Sequence, residues 1–81
     1  MKLPRDLSAA DLVRVLARNG YEITRQTGSH IRLTTSVGGR HHITIPDHDP
    51  IKIGTLSGIL REVGSHAGLG REELLRKLFS P

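Results

Sequence analysis

The stretch HIRLTTSVGGRHHITIP (residues 30–46) decides the fold, because apolar residues alternate on both sides of its glycine pair. Ile31 and Leu33 lie on one side of an extended chain, so His30, Arg32 and Thr34 lie on the other. Ile43 and Ile45 repeat the pattern beyond Gly38-Gly39, with His42 and Thr44 as the polar partners, until Pro46 ends the ladder. A loop centred near Gly38 pairs Leu33 with Ile43 and Ile31 with Ile45, and on the opposite face Thr34 with His42 and Arg32 with Thr44. This register sets Pro46, and with it His48, beside His30. The hairpin therefore has an apolar face and a polar one that carries a histidine at the mouth of a strand.

Upstream of the hairpin, Tyr21 and Ile23 alternate with Glu22 and Thr24, which predicts a further strand joined through a turn at Thr27-Gly28. Before that strand, Ser8 is an N-cap with Asp11 at the capping-box position, and Leu7 can staple onto Leu12. Leu12, Val13, Leu16 and Ala17 form an apolar stripe and Gly20 supplies a stop, giving a helix over roughly residues 8–19. Downstream, Leu56, Ile59, Leu60 and Val63 recur at helical spacing, with Thr55 near the start and Gly64 at the end. A third helix runs from Gly70 to Phe79, with Glu72 and Glu73 in its first turn and Arg76 and Lys77 near its last, the arrangement that suits the helix dipole. The expected fold is α+β, a three-stranded antiparallel sheet packed on helices in the order α-β-β-β-α with an added short helix. One sheet face lies under helices, and the other, with His30, Arg32, Thr34, His42 and Thr44, is left to solvent or a ligand.

The chain has 81 residues, expected as a single domain over residues 1–81, with no internal repeat, low-complexity tract or linker. Chains of this size bury roughly 60% of their unfolded surface, enough for one modest core. The absence of cysteine excludes a disulfide framework and thiolate chemistry. The first residues carry charges throughout and lack the apolar stretch of a signal peptide, and no run approaches the roughly 20 apolar residues that cross a bilayer. A cytoplasmic protein without a membrane partner is expected. Twelve Lys and Arg against eight acidic residues give net +4, and nine of the twelve cations are Arg, whose planar fork suits phosphate. Basic character serves solubility in many small domains, so charge alone leaves nucleic-acid binding open. With Tyr21 and Phe79 the only aromatic residues, a stacking platform for single-stranded bases is not expected.

Three chemistries can be weighed on these residues. Ser29 and His30, adjacent on a strand, point to opposite faces and make a poor nucleophile–base pair, and no G-x-S-x-G elbow is present. His41, His42 and His48 with Asp47 and Asp49 match no zinc spacing, since His41 and His42 alternate across the strand; a solvated acidic loop accounts for Asp47-His48-Asp49. Metal-free acid–base work on RNA needs less. An imidazole with an ordinary pKa near 6.5 can take the ribose 2′-hydroxyl proton or protonate the leaving 5′-oxygen, while cations hold the phosphorane charge. His30 and Arg32, joined by Arg25 or His48, would suffice. An exposed histidine without a role fits the same residues equally well.

The motifs Arg25-Gln26-Thr27-Gly28-Ser29-His30, Ile43-Thr44-Ile45-Pro46-Asp47-His48, Gly54-Thr55-Leu56 and Ile59-Leu60 together resemble the HicA (YcfA-like) mRNA interferase family, from about Leu12 to Leu75. The resemblance implies a fold similar to the double-stranded-RNA-binding domain. It implies a type II toxin of a stress response that cleaves mRNA without the ribosome or a cofactor and is silenced by a HicB-type antitoxin. The family's catalytic histidine falls on His30, Gly28 and Ser29 match the turn that presents it, and His48 matches the second-motif histidine, a second proton carrier. Arg25 and Arg32 are then the RNA phosphate contacts, and no metal is expected. Three positions depart from the family's pattern: Ile31 where an aromatic residue is common, Thr27 where Lys is frequent, and Gly70 where Ser or Thr is the usual cap. The alternative is a non-catalytic RNA-binding module of the same fold; a third reading is a module that only docks a protein on its exposed sheet face.

Overall fold

A computed structural model describes residues 3–80; Met1, Lys2 and Pro81, the ends of the expected 1–81 domain, lie outside the described residues. Six elements follow one another as α1 (Ala9–Ala17), β1 (Tyr21–Thr27), β2 (His30–Thr35), β3 (His41–Pro46), α2 (Ile53–Ala67) and α3 (Arg71–Phe79). The strands form one antiparallel sheet in the order β1-β2-β3. The class is the expected α+β, helices before and after a three-stranded meander.

The β2–β3 register is the one the alternation predicts. Leu33 faces Ile43, Ile31 faces Ile45, Thr34 faces His42, Arg32 faces Thr44 and His30 faces Pro46. Each pair of β-branched or leucine side chains lands on the helix side, where Ile31, Leu33, Ile43 and Ile45 are buried with Leu12, Leu16, Leu56, Leu60 and Leu75. Full burial of such a side chain is worth about 1.5–3 kcal/mol, which is why a one-residue slip, turning the two apolar residues of one strand outward, is excluded.

α1 begins as a capping box. The Asp11 amide donates to Ser8 Oγ at 3.0 Å, and the Ser8 amide donates to the Asp11 carboxylate at 3.4 Å. These bonds from Ser8, joined by the ion pair to Arg14, hold the Asp11 carboxyl below its ordinary range. Leu7 packs partly buried against the core that contains Leu12. The helix ends earlier than the expected residue 19. Arg18 is its C-cap in a right-handed conformation, the Asn19 side-chain amide donates to the Val15 carbonyl at 2.8 Å, and Gly20, at φ +95°, turns the chain into β1.

One further expectation needs correction. α2 does not stop at Gly64; it continues to Ala67, and Gly68 at φ +69° is the left-handed cap. Gly64 is there for closeness, since a Cβ at that position would lie 3.1 Å from the Leu69 carbonyl oxygen and 3.3 Å from Leu74 Cδ2. In β1, Ile23 keeps 51% of its surface exposed although it faces Leu33 on the helix side. It sits on one of the sheet's two edge strands.

Candidate functional site

Thr27 and His30 face each other across the two-residue turn Gly28-Ser29. Gly28 has φ +53° and Ser29 is not in the left-handed region, the sign pattern of a type II′ turn, which favours glycine at its first position. The turn delivers His30 as the first residue of β2, exposed on the polar face. On its other side stands Pro46, which has no N–H to donate and closes β3. The chain then folds back against this turn. The Asp47 amide donates to the Ser29 carbonyl at 2.6 Å, the His48 amide to the Pro46 carbonyl at 2.9 Å, and the Ala9 amide at the start of α1 to the His48 carbonyl at 3.0 Å. His48 thus lies in the segment that joins the β1–β2 turn to the head of α1, with its side chain exposed. The backbone brings its segment to the His30 end of the sheet, as expected.

Arg25 reaches the same face by an irregularity. Pairing runs regularly through Ile23↔Leu33, then shifts so that Arg25, not Thr24, faces Arg32. The extra residue is a β-bulge at Thr24. Strict alternation from Tyr21 and Ile23 would have turned Arg25 toward the helices; the bulge returns it to the face of His30 and Arg32. Two like charges directly opposite each other in neighbouring strands are destabilising on their own. Among the described residues no hydrogen bond or ion pair engages His30, Arg25, Arg32 or His48 through its side chain. The pair of guanidiniums beside an exposed imidazole is suited to an anion, and its forked donors to phosphate.

The same face carries a feature that sequence reasoning did not assemble. Thr24 Oγ1 and Thr34 Oγ1 are 2.8 Å apart, Thr34 Oγ1 and His42 Nδ1 are 2.8 Å apart, and Thr24 Oγ1 donates to the Arg32 carbonyl at 3.5 Å. Partial desolvation, followed by the positive charges of Arg32 and Arg40 and the neighbouring His41, holds the His42 imidazole below its ordinary range. The one available signal was the Thr34–His42 register, since the bulge that brings Thr24 alongside leaves no mark in the sequence.

The remaining histidines lie elsewhere. His41 faces the helix side, where the Tyr21 hydroxyl and His41 Nδ1 are 3.0 Å apart and the ring stacks on His66 with centroids 4.4 Å apart. His66 Nε2 donates to the Val37 carbonyl at 2.9 Å, tying the β2–β3 loop to α2. Burial, and then Glu62, pushes the Tyr21 phenol up. His41, His42 and His48 do not converge, and no group of three His, Asp or Glu capable of holding a metal occurs among the described residues. A groove of about 330 Å³ between α2 and α3, floored by Leu60, Leu74 and Leu75, contains none of the expected site residues.

Residues 9–65, the span from α1 through the sheet into α2, match the family model described as the HicA toxin of bacterial toxin-antitoxin. No curated protein and no solved structure matches the chain.

Proposed function

The chain belongs to the HicA toxin family of bacterial toxin–antitoxin systems, with a cognate antitoxin as its partner, and from that premise we propose that it is a metal-independent endoribonuclease acting on mRNA. The observation that carries this reading is the cross-strand pair Arg25–Arg32 on the face of the exposed His30. The guanidiniums grip one phosphate. His30 removes the ribose 2′-hydroxyl proton, the 2′-oxygen bonds to the adjacent phosphorus, and the bond to the 5′-oxygen breaks. His48 returns a proton to that oxygen. The products are a 2′,3′-cyclic phosphate and a 5′-hydroxyl end. The negative charge that grows on the phosphorane is met by fixed cations, a stabilisation that needs no reorganisation at the moment of reaction.

Gly28 and Ser29 act through the turn that presents His30. The fold resembles the double-stranded-RNA-binding domain in its α-β-β-β-α order, and the polar sheet face is the surface a HicB-type antitoxin must cover to silence the toxin. No described helix is long and apolar enough to cross a membrane, which is consistent with action on cytoplasmic mRNA.

The test uses an RNA cleaved at a known bond. Replacing the 2′-hydroxyl 5′ to that bond with hydrogen blocks cutting there if the ribose oxygen is the nucleophile, and cutting that persists would overturn the mechanism. In cells, expression of His30→Ala leaves growth unimpaired where the unaltered protein arrests it. RNA that is bound but never cut by the unaltered protein would instead indicate the non-catalytic RNA-binding module.

A further inference from the structure

The polar face carries a third arginine that the proposed chemistry leaves unused. Arg40 stands directly before β3, exposed, at the end of the loop that leads out of β2. The next residue, His41, turns to the helix side, where it meets Tyr21 and His66, so alternation sends Arg40 to the face of His42. Its charge and that of Arg32 both act on the His42 ring, which lies between them along the sheet. The loop that presents Arg40 is fastened. His66 Nε2 donates to the Val37 carbonyl, and the His66 ring lies 3.9 Å from where a Cβ would stand on Gly38 or on Gly39. Arg40 therefore extends from a backbone held on both sides, by His66 at Val37 and by Tyr21 at His41.

Among the described residues no ion pair or hydrogen bond engages the Arg40 side chain. Glu22, the one acid within the three strands, is on β1, and β2 separates it from β3. Arg25, Arg32 and Arg40 thus form a row of cations from the His30 end of the sheet toward its loop end. Pro46, opposite His30, lies six positions beyond Arg40, on the order of 20 Å at a strand's rise. A phosphate within reach of the His30 imidazole is too far from Arg40 for one arginine side chain to span, whereas a polyanion lying along the strands meets both ends. We propose that Arg40 is a second phosphate-binding subsite, for a backbone phosphate of the same RNA several nucleotides from the bond cleaved. It rests on the proposed action on RNA and makes the polar face a track, with the chemistry at one end and an anchor at the other.

The experiment measures binding of an RNA with a known cleaved bond to the His30→Ala protein and to His30→Ala/Arg40→Ala, so that cutting does not interfere. Removing Arg40 weakens binding and lowers the slope of log K against log salt by about 0.7, the value of one single-strand contact; Arg40→Lys restores the slope. Single phosphates are then replaced, one per strand, by an uncharged methylphosphonate beside a 2′-deoxyribose, each matched to a strand with the deoxyribose alone. One such replacement, away from the cleaved bond, abolishes the effect of Arg40→Ala, and the strand neutral at the cleaved bond keeps it in full. Three results overturn the inference and leave cutting by the unaltered protein standing. The salt slope ignores Arg40→Ala, or its effect vanishes only when the cleaved phosphate is neutral, or the effect survives undiminished on every neutralised strand. RNA neither cut nor bound by the unaltered protein overturns both the subsite and the action on RNA.

Discussion

His30, Arg32 and Arg25 come together through three separate local devices: a turn, a strand's alternation and a bulge. Each has its own consequence on substitution. Arg25→Ala and Arg32→Ala remove one phosphate contact apiece, so each lowers RNA affinity across sequences and reduces the slope of log K against log salt by about 0.7, the single-strand value per contact. A slope unchanged in both variants would mean that the pair does not meet the backbone. His42 makes a separate prediction for stability. Its folded-state pKa lies below the ordinary 6.5, so the unfolded chain binds more protons. Stability is complete above that ordinary value and declines as pH falls through it toward the lowered one. Urea unfolding at mildly acid and at neutral pH therefore differs more for the unaltered protein than for His42→Gln.

At the scale of elements, the hairpin was legible because alternation and a glycine-rich loop leave one register that buries Ile31, Leu33, Ile43 and Ile45 together. The bulge was not. Thr24 is a good strand former with neither a glycine nor a proline to mark it, and only the pairing of Arg25 with Arg32 reveals the extra residue. Gly64 misled for the opposite reason: a glycine that reads as a helix stop is needed mid-helix because Leu69 and Leu74 approach so closely. The stack of His41 on His66 joins residues 25 positions apart, which no local pattern can announce. Gly20 was read correctly as a residue of special conformation, though it opens β1 instead of ending α1. Its φ of +95° and a Cβ that would come within 2.9 Å of Val37 Cγ2 make Gly20→Ala costly, by about 1–3 kcal/mol. Ser8→Ala, which dissolves the capping box, costs about 1 kcal/mol. Both losses are read from the denaturant midpoint.

At the scale of the whole molecule, one sheet divides the labour. Its helix side holds the core, and its other side is free to meet a polyanion, so stability and activity are separable by substitution. Leu33, on the central strand, is fully buried; Leu33→Ala costs about 2–5 kcal/mol, a large part of a small domain's total of about 5–15 kcal/mol. Its thermal melt should shift far more than that of any variant on the polar face. His30, exposed at the mouth of β2, belongs to that polar face, and its loss should leave the melt where it is.

The most direct measurement is cleavage of a long mRNA in EDTA by the purified protein and by His30→Ala, with the chemistry of the new ends determined. The account predicts cutting by the unaltered protein, slowed in His30→Ala by the roughly 10²–10⁴-fold that one acid–base group contributes, with 2′,3′-cyclic phosphate and 5′-hydroxyl ends. Equal cutting by a correctly folded His30→Ala protein, or ends bearing a 5′-phosphate, would contradict it.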